Sequence, residues 1–136
     1  MATNMYNANA YKQNAMKTAS PGELTLMLYN GCLKFINQAK KAIEAGNVEQ
    51  RNTSITKAQN IIRELMVTLK TDSEVGQNMM RMYDFIMSQL VDANVKNDVQ
   101  ALTNAEELVT EFRNTWKEVI QLDRQQRHGA GTGGRA

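Results

Sequence analysis

The 136 residues are 42% hydrophobic and 22% charged, with one proline, one cysteine and one histidine. That suffices for one domain with its own core and not for two. The net charge of +2 sits at the ends: Lys12 and Lys17 make the first nineteen residues basic, Arg124, Arg127 and Arg135 outweigh Asp123 in the last fourteen, and 20–122 carries −2. Nucleic-acid binders concentrate basic charge on the folded body, so that class is excluded. Cys32 has no partner for an internal disulfide and fits a reducing compartment. No apolar run reaches the roughly 18 residues of a spanning helix, and the opening residues lack the apolar stretch of a signal peptide. No stable membrane insertion is expected, and the expected location is the cytosol.

The chain divides into an N-terminal arm (1–19), a helical body (20–122) and a tail (123–136). The arm is polar but carries Met5, Tyr6, Tyr11 and Met16. The first helix opens on SPGE: Ser20 caps, Pro21 takes the first helical position, and Glu23 completes a capping box. It runs to about Ala45 and stops at Gly46-Asn47. The second spans Val48 or Arg51 to Leu69. Asp72 is the expected cap of the third, which ends near Ala93. Asn97 or Asp98 opens the fourth, expected to end near Leu122. Short linkers predict antiparallel neighbours: an all-α, antiparallel four-helix bundle. The tail, RQQRHGAGTGGRA after Asp123, has nothing to pack and is expected to be disordered.

Helical periodicity separates the four segments. The fourth holds Leu102, Ala105, Leu108, Val109, Phe112, Trp116, Val119 and Ile120 in one narrow arc, and the second is nearly as clean. The first carries two apolar stripes: Leu24, Leu28, Gly31, Phe35, Ala39 and Ala42, then Leu26, Tyr29, Leu33 and Ile36 beside them. The third carries a core-like stripe of Val75, Met79, Met82, Ile86, Leu90 and Ala93, widened by Met80, Tyr83, Met87 and Val91. A simple bundle core does not consume that much apolar arc. Four covers are open: the chain's own arm, a layered packing with helices one and three more central, a second copy, or a partner's amphipathic segment. Methionine suits the last, being unbranched and adaptable. Met79 and Met82 read as core filler, Met80 and Met87 as candidate binding residues.

Catalytic chemistry is missing. His128 is the one histidine and lies in the tail, so neither a metal site nor a catalytic dyad can form around it. Adjacent carboxylates such as Glu106 and Glu107 diverge on a helix. GAGTGG (129–134) has the letters of a dinucleotide-binding turn, but that turn follows a strand and opens a helix, and here a helix precedes it. No cofactor and no enzyme activity are expected.

Several blocks together resemble a known family: AYKQN (Ala10 to Asn14), TASPGELTLMLYNGCLKFI, NTSITKAQNIIRELMVTL, MYDF (Met82 to Phe85) and FRNTWKE. In that order they are similar to the bacterial flagellin export chaperones, the FliS family. The resemblance implies a cytosolic antiparallel bundle that binds the disordered C-terminal region of flagellin, prevents premature polymerisation and aids delivery to the flagellar type III export gate. It implies that the arm folds over part of the site, with Tyr11 and Asn14 in the family's arm motif. Joined to the surplus arcs, it makes Tyr11, Asn14, Leu26, Tyr29, Leu33, Ile36, Met80, Tyr83 and Met87 the candidate partner-binding residues. The alternative is a homodimeric structural or regulatory bundle without a secretion client.

Overall fold

The computed structural model describes the backbone of residues 20–133 and the side chains of Ser20 and of residues 22–126. The arm, with Tyr11 and Asn14, lies outside the described residues. Four helices follow in chain order: α1 (Pro21–Glu44), α2 (Val48–Thr68), α3 (Glu74–Lys96) and α4 (Val99–Gly133).

Their starts are set by local chemistry. Ser20 accepts from the Glu23 amide at 3.2 Å, with Pro21 at the first helical position. Glu23's carboxylate is engaged by Arg124 of α4, so the residue expected to complete the capping box instead ties the two ends of the described chain together. Asn47 caps α2, accepting from the Gln50 amide at 3.0 Å, after Gly46 turns the chain at φ 70°. The cap of α3 is Ser73, bound by the Gly76 amide at 3.1 Å, and not Asp72. At the last turn Asn97 adopts a left-handed φ of 57°, and Asp98 accepts from the amides of Gln100 and Ala101 to open α4.

The backbone of α4 continues to Gly133, past the end expected near Leu122. The residues just beyond that point, 123–126, are exposed, as their composition requires. Arg124, Gln125 and Gln126 are good helix formers continuing an existing helix, and propagation needs no new nucleus. Of the tail expected to be disordered, 123–136, the backbone is helical as far as Gly133, and the side chains from 127 on lie outside the described residues.

The helices form a closed antiparallel ring: α1 packs on α2 and α4, and α3 packs on the same two. No helix is central, so the layered alternative is replaced by a square bundle. The core is Tyr29, Cys32, Ile36 and Ala39 from α1, Ile55, Ala58, Ile62 and Leu65 from α2, Tyr83, Ile86, Leu90 and Ala93 from α3, and Ala101, Leu102, Ala105 and Val109 from α4. The two stripes of α1 are both consumed because α1 has two neighbours. Lys40 reaches Glu106 of α4 at 3.0 Å on one flank, and Phe35 lies under Lys57 of α2 on the other. Among the described residues every buried side-chain polar atom has a hydrogen-bond partner.

Candidate binding groove

Two turns of α3 and four of α4 leave a seam that the core does not fill. Toward the α4 C-terminal end lies a hollow of about 320 Å³, lined by Met79 and Met82 of α3, by Leu108, Phe112, Trp116 and Val119 of α4, and floored by Tyr29 of α1. A second hollow of about 290 Å³ adjoins it through Leu108 and Glu111, and adds Phe85, Asn104 and Glu107. Met82, Phe85 and Val119 are 41%, 48% and 44% exposed. Large apolar side chains so placed along one seam form a contiguous patch, the kind of surface that marks interaction sites.

The floor is rigid. Tyr29 and Tyr83 meet hydroxyl to hydroxyl at 2.6 Å across the bundle, each 2% exposed. Phe112 stacks on Tyr29 at 5.9 Å and tilts against Tyr83 at 5.4 Å. Burial raises the pKa of both phenols above its ordinary value; for Tyr29 the bond from its partner partly opposes this, while for Tyr83 it adds to it. The mouth is pinned as well. Trp116 Nε1–H donates to the Gly22 carbonyl at 2.8 Å, and Ile120 lies against Gly22. The start of α1, where the arm joins the bundle, is thus fixed beside the groove's Trp116 end.

The sequence-derived site residues divide sharply. Tyr29, Leu33, Ile36 and Tyr83 are buried, at 2%, 8%, 0% and 2% exposure, so they build the bundle, and of the four Tyr29 reaches the groove as its floor. Tyr83 belongs to the core because its hydroxyl finds Tyr29, and this turns the core arc of α3 toward it. Met82 and Val75 are correspondingly turned out, at 41% and 69% exposure, against the core role expected of them. Leu26, Met80 and Met87 are half-buried. Met79 and Met82, expected as filler, line the groove instead. Phe85, Leu108, Phe112, Trp116 and Val119 were missed as site residues. The available signal was Phe85, an aromatic outside both arcs of α3.

Cys32 is fully buried and its thiol is pushed up to about 12 by desolvation, so it is an unreactive core residue. No group of histidine, cysteine or carboxylate side chains among the described residues could hold a metal ion. Among the described residues no helix is long and apolar enough to cross a membrane.

Comparison with known proteins places this architecture. A crystal structure of a flagellar chaperone from bacteria superposes with a TM-score of 0.70 over 87% of this chain and 98% of its own, at 18% identity, which speaks for the fold. The flagellar secretion chaperone FliS of Bacillus subtilis is 53% identical over 122 residues, 90% of this chain and 92% of that protein. The protein of the same name from Escherichia coli is 33% identical over 79% of this chain and 82% of its own. The family described as flagellar protein FliS matches residues 2–123. The chain therefore belongs to the FliS family, a family of flagellar secretion chaperones and not of enzymes.

Proposed function

We propose that this chain is the cytosolic chaperone that binds the disordered C-terminal region of flagellin, keeps it from polymerising prematurely and aids its delivery to the flagellar type III export gate. The observation that carries this reading is the open α3–α4 groove: Met82, Phe85 and Val119 are exposed beside Phe112 and Trp116 on a bundle whose core is otherwise closed. A flagellin segment that cannot bury its apolar face alone can do so here. Each Å² of apolar surface so buried contributes roughly 25 cal/mol, against several kcal/mol lost in ordering the segment. On this reading handover to the apparatus proceeds by competition for the client.

The arm is the cover of the groove in the free protein. It leaves the bundle at Ser20, next to the Gly22–Trp116 contact, and carries Met5, Tyr6, Tyr11 and Met16. Of the surplus arcs it could cover, the α1 stripe of Leu26, Tyr29, Leu33 and Ile36 is largely buried. The groove is the apolar surface left for it near its point of attachment.

Co-purification of the full chain with flagellin tests the reading. A stable stoichiometric complex is expected, weakened more than tenfold by Met82→Glu with Phe85→Glu, which alter exposed positions and leave the core intact. Unchanged affinity in that double variant would remove the groove from the site. A self-associating protein with no flagellin affinity would instead favour the homodimeric bundle.

A further inference from the structure

The acidic residues of α4 are not used alike. Glu106 is spent inside the bundle, at 3.0 Å from Lys40. Glu107 and Glu111 line the groove instead, and neither is in an ion pair with another described residue. They are one turn apart, about 6 Å along the helix, and like charges so spaced weaken a helix slightly. No lysine or arginine lines either half of the groove. Its walls are thus Phe85, Met82 and Leu108 on the apolar side, with two unneutralised carboxylates along one edge. Asn104 to Val119 spans about 22 Å of α4, room for roughly four turns of a bound helix.

We infer that the groove selects a client helix with basic residues one turn apart along the edge of its apolar stripe, met by Glu107 and Glu111. The inference rests on the reading that the groove holds the client. Apolar burial supplies the affinity, and the two carboxylates fix the direction and register in which the helix lies. The same edge repels anionic partners such as nucleic acid and acidic lipid. An acidic amphipathic helix of equal hydrophobicity is rejected, because its charges would face Glu107 and Glu111 across an interface that excludes water.

The test titrates the full chain, its E107Q/E111Q and E107K/E111K forms, and the M82E/F85E control against the C-terminal segment of flagellin by calorimetry. Circular dichroism checks that each stays helical. Exposed ion pairs are individually weak, so in about 0.1 M salt the glutamine form should bind roughly three- to tenfold more weakly. The lysine form should bind more than tenfold more weakly. In about 0.5 M salt these differences should shrink, while the unaltered protein changes less than tenfold because apolar contact dominates. A segment whose groove-facing lysines and arginines are changed to glutamate should regain affinity for E107K/E111K and lose it for the unaltered chain. Equal binding by all three forms, with binding lost in the M82E/F85E control, overturns the charge rule and leaves the groove in place. Equal binding in the control as well overturns the groove reading. Tighter binding by the glutamine form assigns the carboxylates to Lys12 and Lys17 of the arm and overturns the inference.

Discussion

The hydroxyl pair beneath the groove makes a sharp test of the core. Tyr29 and Tyr83 are each 2% exposed and share one hydrogen bond of 2.6 Å. Tyr83→Phe keeps the ring and its contact with Phe112, but leaves the Tyr29 hydroxyl in the core without its partner. Stranding such a group costs about 1–3 kcal/mol, whereas removing both partners together is nearly neutral. Tyr29→Phe and Tyr83→Phe should therefore each destabilise by about 1–3 kcal/mol. The double variant should lose less than either alone, so the coupling in a double-mutant cycle exceeds either single loss and approaches their sum if the double is near neutral. With a urea slope of about 2 kcal/mol per molar, each single variant moves the midpoint by roughly 0.5–1.5 M. Urea unfolding followed by circular dichroism reads this directly. Additive losses, with the double variant about twice as destabilised as either single, would refute the reasoning and show that water or another group already serves each hydroxyl.

Three further outcomes follow from the same geometry. Gly76→Ala should destabilise by about 1–3 kcal/mol despite the better helix former, because its Cβ would sit 1.9 Å from the Lys70 carbonyl oxygen, while Gly22→Ala meets its nearest neighbour, Ile120, at an ordinary 3.6 Å and should be close to neutral; thermal melts of the two would compare them, and equal melts would contradict the packing at the start of α3. Trp116→Ala should cost about 1–3 kcal/mol rather than the 3–5 of a fully buried aromatic, since the ring is half-buried and its anchor is the bond to Gly22; a larger loss in chemical unfolding would mean that the groove is closed. Stability should begin to fall as pH rises through 9 toward 12, because Cys32 is raised from 9.0 to about 12 in the fold and the unfolded chain ionises first, with the raised phenols of Tyr29 and Tyr83 adding to the fall above pH 10; the thiol contributes a slope of at most about 1.4 kcal/mol per pH unit, Cys32→Ala should remove the fall between pH 9 and 10, and an unchanged slope there would contradict the assignment.

What the sequence disclosed and what it hid have distinct physical causes. Helix starts are local: a Ser, Asn or Asp side chain satisfies amides two or three residues ahead, so Ser20 is legible directly and Asp98 as one of two candidates, while Asn47 reads from the sequence only as the stop of α1. The start of α3 was misplaced by one residue because Asp72 and Ser73 are both good caps. Ser73 holds the Gly76 amide, and Gly76 itself lies against the Lys70 carbonyl across the turn, an approach closed to any residue with a Cβ. Face assignment failed where the arc was broad. On α3 about half the circumference is apolar, and periodicity cannot say which part turns inward. Tyr83 decides it through a hydroxyl partner 54 residues away, and with that choice Met82 is turned out of the core. On α1 the surplus was real but mostly consumed, because a ring gives each helix two neighbours. The groove then follows from an imbalance at one end. α4 brings Phe112, Trp116 and Val119 there, while the opening turn of α3 offers Gly76, with no side chain, and Val75, turned outward at 69% exposure. The large residues of one helix thus lack matching bulk on the next. A core-filling residue in place of Met82 would not repair this, since its Cβ already points out of the core. The opening is built into the orientation of α3, not into the size of any one side chain.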